Sequence, residues 1–271
     1  MKRLLTAAIG VPLALAAIFG LPGWGFFLVA APLLTGASWE FSRLARASAP
    51  RAPWWALPVL VPLAAAGLAW GLAPDAHVDG FHALLFGALA AIGVGSLVLL
   101  SRTPVDQALP AIGGLAFAVP YFAVPIAALY RLQRHDPWVL FLLLAIVWLG
   151  DTAAYYVGSR WGRRRLAPVV SPKKSWEGAI AGFLVSLAST AVWSVWRLDR
   201  LDLALLAVGA LTAVASQVGD LVESLIKRGA RVKDSGDLLP GHGGLYDRLD
   251  AMLFAAPVML VLLWLFGFEV G

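Results

Sequence analysis

The chain has 271 residues, of which 60% are hydrophobic and 14% charged. Soluble domains carry about 25% charged residues, so this composition excludes an ordinary soluble protein and leaves a multi-spanning membrane protein. In such a chain a net charge of +5 suits anionic lipid headgroups and phosphorylated ligands rather than nucleic acid, and the absence of cysteine excludes disulfides, a thiolate metal site and a thiol nucleophile.

Met1-Lys2-Arg3 precedes the first apolar run. No small-residue cleavage site follows, so the run is read as a retained helix rather than a secretory signal. At roughly 20 residues per span, the apolar runs give about nine helices. They cover 4–21, 24–41, 54–73, 81–100, 110–130, 138–157, 177–196, 203–226 and 251–268, with a tight break at Leu21-Pro22-Gly23 that makes the first pair a candidate re-entrant hairpin. With the N-terminus in the cytoplasm and sides alternating, 17 of the 21 Lys and Arg residues fall inside, and only Arg131, Arg134, Arg197 and Arg200 fall outside. That asymmetry fixes the expected topology: an all-α polytopic membrane protein, N-terminus cytoplasmic, C-terminus outside.

Residues 1–135 read as chemically quiet N-terminal helices with a structural, dimerisation or lipid-facing role; 136–271 carry the chemistry. Pro12, Pro32, Pro58, Pro62, Pro120 and Pro125 lie within apolar runs and should kink them. Trp24, Trp39, Trp54, Trp55 and Trp70 stand near run ends, as interfacial anchors do. His77, His82 and His135 fall on the outer side and read as ordinary polar residues.

In the second half, Asp151 sits inside an apolar run and shares a helix face with Trp148 and Tyr155. An ionisable group within a span is a functional candidate. A basic loop follows, with Arg163-Arg164-Arg165 and Ser171-Pro172-Lys173-Lys174-Ser175-Trp176-Glu177-Gly178; its arginines are explained as a cytoplasmic topology signal, the Ser-Pro-Lys-Lys segment less easily. Gly178 and Gly182 are spaced for close helix packing. Ser216, Asp220, Ser224 and Lys227 then recur at four, four and three residues, forming one polar stripe flanked by Gln217 and Glu223, which must face protein or water.

The stripe feeds into the richest stretch of the chain, Ser224 to Asp250. It holds the cations Lys227, Arg228, Arg231 and Lys233, a turn segment through Pro240 and Gly241, then His242, Gly243-Gly244 and Asp247-Arg248-Leu249-Asp250. Cations beside glycines suit phosphate oxygens, because backbone N–H groups approach closely where no Cβ intervenes. Carboxylates beside them suit a hard divalent ion, and Asp220 and Asp247 bracket the cations. Phosphate and metal together point to nucleotide chemistry.

Ser224-x-x-Lys227-Arg228, Lys233-Asp234 and Pro240-x-His242-Gly243-Gly244-x-x-Asp247-Arg248-x-Asp250 resemble the signature of the phosphatidate cytidylyltransferases, membrane enzymes that make CDP-diacylglycerol. The Ser-Pro-Lys-Lys-Ser-Trp-Glu-Gly segment resembles the same family, with Ser175 where Thr is usual. The quotable resemblance covers about residues 140–255. It implies attack of the phosphatidate phosphate on the α-phosphorus of CTP, assisted by Mg²⁺ and by a second cation such as K⁺. It implies Asp220 and Asp247 as metal ligands with Ser224 nearby, and Lys227 and Arg228 as phosphate holders. His242 would donate to a phosphate oxygen or shape the turn. Lys173, Lys174 and Ser175 would contact the triphosphate or lipid phosphate, with Arg248, Asp151 and Tyr155 lining the substrate site. Asp234, Asp237 and Asp250 read as loop-structural. A homodimer and the bacterial inner membrane are implied too, the latter also from the lack of a targeting extension.

Three rivals stay open on the residues alone: another CTP-using lipid transferase or kinase, of the CDP-archaeol synthase or polyprenol kinase type; a transporter; and a structural lipid-binding protein. A transporter leaves the crowding of cations, glycines and acids in one cytoplasmic segment without a reason, and no inverted repeat is evident.

Overall fold

A computed structural model describes residues 2–71, 89, 93, 105–236 and 243–268. Its helices are α1 (Lys2–Gly20), α2 (Gly23–Ala45), α3 (Leu57–Gly71), α4 (Ala108–His135), α5 (Pro137–Trp161), α6 (Trp176–Leu198), α7 (Leu203–Gly229) and α8 (Tyr246–Leu265). Between α5 and α6 lie two short strands, β1 (Arg165–Ala167) and β2 (Ser171–Ser175), paired antiparallel with Arg165 opposite Ser175 and Ala167 opposite Ser171. The chain is therefore mostly helical, with a small hairpin that an all-α reading does not contain.

Among the described residues, α4 to α8 are the five helices long and apolar enough to cross a membrane. The expected span at 81–100 lies outside the described residues except for positions 89 and 93, as do His77 and His82. The chain divides into two compact units, one of Met1–Tyr130 with Ile226–Leu249, the other of Arg131–Leu225 with Asp250–Val270.

In the first unit α2 packs against α3 and the short 3₁₀ turn Trp54–Ala56. Trp54 is not an interfacial anchor: it is 1% exposed, and its indole N–H donates to the Ala49 carbonyl at 2.8 Å. Its ring fills the space where Gly114 lacks a side chain, so the apolar ring is worth more buried than at a headgroup interface. Trp24, Trp39, Trp55 and Trp70 are exposed, as anchors are. A knot of rings gathers Phe41 of α2, Tyr121 and Phe122 of α4 and Tyr246 of α8, with Phe122 and Phe41 each 5.6–6.2 Å from Tyr246. The hydroxyls of Tyr121 and Tyr246 meet at 3.1 Å, which satisfies both polar tips inside the apolar cluster. The knot fixes where α8 begins.

In the second unit α5 and α6 pack closely. A Cβ at Gly182 would stand 2.8 Å from the Gly150 carbonyl oxygen, and one at Gly178 would stand 2.7 Å from that of Ala154, so the small-residue spacing serves close approach. Ser186 reinforces the pair by donating to the Ile146 carbonyl at 2.7 Å. Asp136 caps α5 through the Trp138 N–H at 2.9 Å, with Pro137 in the first turn, and its other oxygen pairs with Arg197. Asp202 caps α7, accepting from the N–H groups of Ala204 and Leu205. Hydrogen bonding from Leu205, and then the Arg200 guanidinium, holds its carboxyl below the usual range.

Candidate active site

The polar stretch begins where α7 stops. Arg231 takes a left-handed conformation (φ 59°), and the N–H groups of Ala230, Arg231 and Val232 return to the carbonyls of Ile226, Arg228 and Lys227. This closes the helix end with a residue other than glycine at the reversing position, an uncommon choice. The Arg228 guanidinium donates to the Val232 carbonyl at 3.0 Å from an exposed position. Lys227 turns the other way: its ammonium lies 2.6 Å from Asp247 Oδ1, and the two side chains are 12% and 9% exposed.

Asp247 lies in the first turn of α8, and its second oxygen gathers three donors. Oδ2 accepts from the Ser235 N–H at 2.9 Å, the Gly244 N–H at 2.8 Å and the Ser235 hydroxyl at 3.0 Å. Gly243, two residues earlier than Leu245, sits at φ +78°, where a Cβ would crowd that same oxygen. The double-glycine of the signature thus makes a backbone reversal that delivers the Gly244 N–H to Asp247. Arg248 is exposed beside it. His242 lies outside the described residues.

Sequence reasoning missed the group on the other side of Ser235. Glu40 of α2 is fully buried. Its Oε2 accepts from the Ser235 hydroxyl at 2.8 Å and the Tyr246 N–H at 2.9 Å, and its Oε1 from the Leu245 N–H at 3.1 Å. The first turn of a helix has N–H groups without intrahelical partners, and a carboxylate there also complements the helix dipole. Glu40 is a cap supplied from another helix. The signal was available: an acid inside the apolar run 24–41 meets the same criterion that singled out Asp151.

The second unit holds an acidic cluster. Ligand oxygens of Asp220 and Glu223 on α7 and of Asp250 on α8 all lie within 4.8 Å of one another. Glu223 is fully buried. The Lys174 ammonium, on β2, lies 2.5 Å from Asp220 Oδ2, and Asp151 on α5 lies within electrostatic reach of Asp220 and Lys174. Several carboxylates with one lysine among them leave negative charge to be balanced, and a hard divalent ion with oxygen ligands fits that donor set. Asp250, read from sequence as loop-structural, thus joins Asp220, whereas Asp247 is engaged by Lys227, Ser235 and Gly244. The physical reason is helical position: Asp247 is in the first turn of α8, where the incoming loop offers it N–H groups, and Asp250 is three residues further on.

The remaining expected site residues are placed as follows. Ser224 is buried on α7, four residues after Asp220 and so on the same face. Ser175 caps α6, accepting from the Gly178 N–H at 3.2 Å, and is buried. Lys173 is exposed on β2, and Tyr155 is exposed on α5 with its ring edge-on to Tyr156. Glu177, in the first turn of α6, accepts from the N–H groups of Arg163 and Arg164 and so ties the hairpin to the helix that Ser175 starts.

Comparison with known proteins gives this constellation a context. Residues 1–266 match the Cytidylyltransferase family. The phosphatidate cytidylyltransferase of Haemophilus influenzae is 31% identical over 281 aligned positions, covering 94% of this chain and 96% of its own length. The phosphatidate cytidylyltransferase of Pseudomonas aeruginosa is 35% identical, covering 98% of this chain and 97% of its own. A third, from Brucella suis biovar 1, is 37% identical over 187 positions, 67% of this chain and 66% of its own.

Proposed function

This chain belongs to the cytidylyltransferase family, and on that premise we propose how its residues divide the work of transferring the cytidylyl group of CTP to phosphatidate. A phosphate oxygen of phosphatidate forms a bond to the α-phosphorus of CTP. The bond from that phosphorus to the bridging oxygen breaks, giving CDP-diacylglycerol and pyrophosphate. The lipid phosphate is already an anion near neutral pH, so no strong general base is needed. Two anions must be brought together, and charge neutralisation with positioning dominates the barrier.

The observation that carries this reading is the convergence of Asp220, Glu223 and Asp250 on helices long enough to span a membrane, with Lys174 against Asp220. Mg²⁺ fits those three acids and, when bound, neutralises charge on the phosphate oxygens. Ser224 offers a neutral oxygen on the same helix face, suited to a second cation such as K⁺. Lys227, oriented by Asp247, acts as a point charge for phosphate, and the exposed Arg228 acts as a fork. Lys173, Lys174, Arg248 and His242 complete the set of phosphate contacts. Asp151 and Tyr155 line the approach of substrate, and Ser175 holds the hairpin and α6 in register for Lys174.

The finer topology belongs to the same proposal: nine spans, N-terminus and polar segments towards the cytoplasm, C-terminus outside, in the bacterial inner membrane, with two copies forming a dimer. Phosphatidate then keeps its acyl chains in the bilayer while CTP arrives from water. The test uses purified protein in detergent with Mg²⁺, phosphatidate and CTP labelled at the α-phosphate. Label should enter the lipid. Transfer only to an archaeal-type or polyprenol acceptor would move the substrate assignment to that lipid class.

A further inference from the structure

We propose that Glu40 is a positioning residue for cytidylyl transfer: α2 presents a docking seat to the signature loop, and the Glu40 carboxylate sets where Asp247, and through it Lys227, stand. The inference rests on the assignment of Lys227 to phosphate binding.

Three observations carry it. Glu40 is fully buried, yet among the described residues its hydrogen-bond partners belong to the loop and the start of α8: the Ser235 hydroxyl, the Leu245 N–H and the Tyr246 N–H. Ser235 lies between two carboxylates, 2.8 Å from Glu40 Oε2 and 3.0 Å from Asp247 Oδ2, so the two acids share one hydroxyl group. The single hydroxyl proton serves one of them at a time. Thirdly, the seat is cut to shape. A Cβ at Gly236 would lie 2.7 Å from Glu40 Oε1, and one at Gly244 would run into both the Glu40 carboxylate and the Ser235 hydroxyl. One turn before Glu40, a Cβ at Gly36 would lie 2.7 Å from the Leu245 side chain. Gly36 and Glu40 are four residues apart and share a helix face. The loop approaches α2 at van der Waals limits, with glycine on both sides of the contact.

A carboxylate is required there for a definite reason. Two backbone N–H groups and a hydroxyl point at it, and all can donate. Glutamine has the same shape but replaces one acceptor with an NH₂, setting donor against donor at Leu245 or Tyr246. An unmade hydrogen bond in a buried site costs more than the bond is worth when formed. The loop would relax away from α2, taking the Gly244 and Ser235 N–H groups off Asp247.

The experiment measures steady-state transfer by the full-length chain in detergent for wild type, Glu40→Gln, Ser235→Ala and the double variant, each normalised to folded protein. Thermal unfolding is recorded for all four. Glu40→Gln should lower kcat at least ~30-fold, about 2 kcal/mol of barrier, with KM for CTP within threefold. The double variant should lose little beyond Glu40→Gln alone, because both act through the same seating of the loop on α2. A kcat per folded molecule equal to wild type, whatever the melting temperature, overturns the proposal, as does a fully multiplicative loss in the double variant. Should Glu40→Gln fail to fold, Ser235→Ala decides: at least fivefold lower kcat with unchanged melting temperature supports it, and unchanged kcat overturns it. Wild-type turnover of phosphatidate with CTP in the same preparations tests the functional assignment separately.

Discussion

Lys227 and Asp247 are 20 residues apart in the chain, yet their charged groups meet at 2.6 Å with side chains 12% and 9% exposed. A pair so far from water costs desolvation, and removing one partner strands the other. Asp247→Asn should therefore lower label transfer at least ~100-fold, about 3 kcal/mol of barrier. It should also destabilise the fold by roughly 3–5 kcal/mol as the lysine charge loses its partner. Transfer assays and thermal unfolding of the same preparation check both effects. Undiminished transfer would remove Asp247 and Lys227 from the phosphate site.

The acidic cluster predicts a metal requirement with an address. Chelation should abolish transfer, and Mg²⁺ should restore it. Asp220→Asn and Asp250→Asn should each raise the Mg²⁺ needed for half activity at least ~10-fold, in keeping with loss of a ligand from a hard-ion site. Binding of paramagnetic Mn²⁺, followed by its own resonance signal, gives a readout independent of turnover. Both variants binding Mn²⁺ like wild type would place the ion elsewhere.

Sidedness can be read with a thiol probe, because the chain has no cysteine of its own. Arg200 and Lys233 are both exposed. A membrane-impermeant maleimide added to spheroplasts should label Arg200→Cys and leave Lys233→Cys unlabelled until the membrane is opened. The reverse pattern would invert the topology and separate the phosphate site from cytosolic CTP.

Asp202 supplies a pH-dependent contribution to stability. Its carboxyl is held below the usual range by hydrogen bonding from Leu205 and then by Arg200. A lowered folded-state value means the contribution is present above the unfolded value of about 3.9 and is lost as pH falls through the folded one. Asp202→Ala should lower the melting temperature at pH 7, by an amount at the small end of the cap range of about 0.5–2 kcal/mol, because the Arg200 side chain that pairs with it is exposed to solvent. The gap between variant and wild type should close below about pH 4. A gap constant down to pH 3 would mean the cap does not depend on charge.

The long helices were legible because run length and composition are local properties of the chain. The close approach at Gly178 and Gly182 follows from short-range chemistry of the same kind. The partnerships of the acids were not. Asp247 and Asp250 differ by three residues on one helix, and no pattern says which of them meets Lys227 and which joins Asp220 and Glu223. Trp54 was misread for a related reason: position near a run end cannot tell a ring facing lipid from one filling the notch at Gly114. The β1–β2 hairpin hid inside a stretch whose arginines read as a topology signal. Glu40 stood out as an acid within an apolar run, but its role did not, because its partners lie about 200 residues away.

The face of α2 that carries Gly36 and Glu40 bears on how such a chain can be recombined. The signature segment is not a self-sufficient cassette, since part of its mould is cast by a helix near the other end of the sequence. A chimera joining the last helices of this protein to the first helices of a distant relative would inherit every residue of the signature and could still be inert. Compatibility would depend on whether the donor brings a small residue and an acid one turn apart, and a library of crossovers should sort into active and silent classes by that pair rather than by overall similarity.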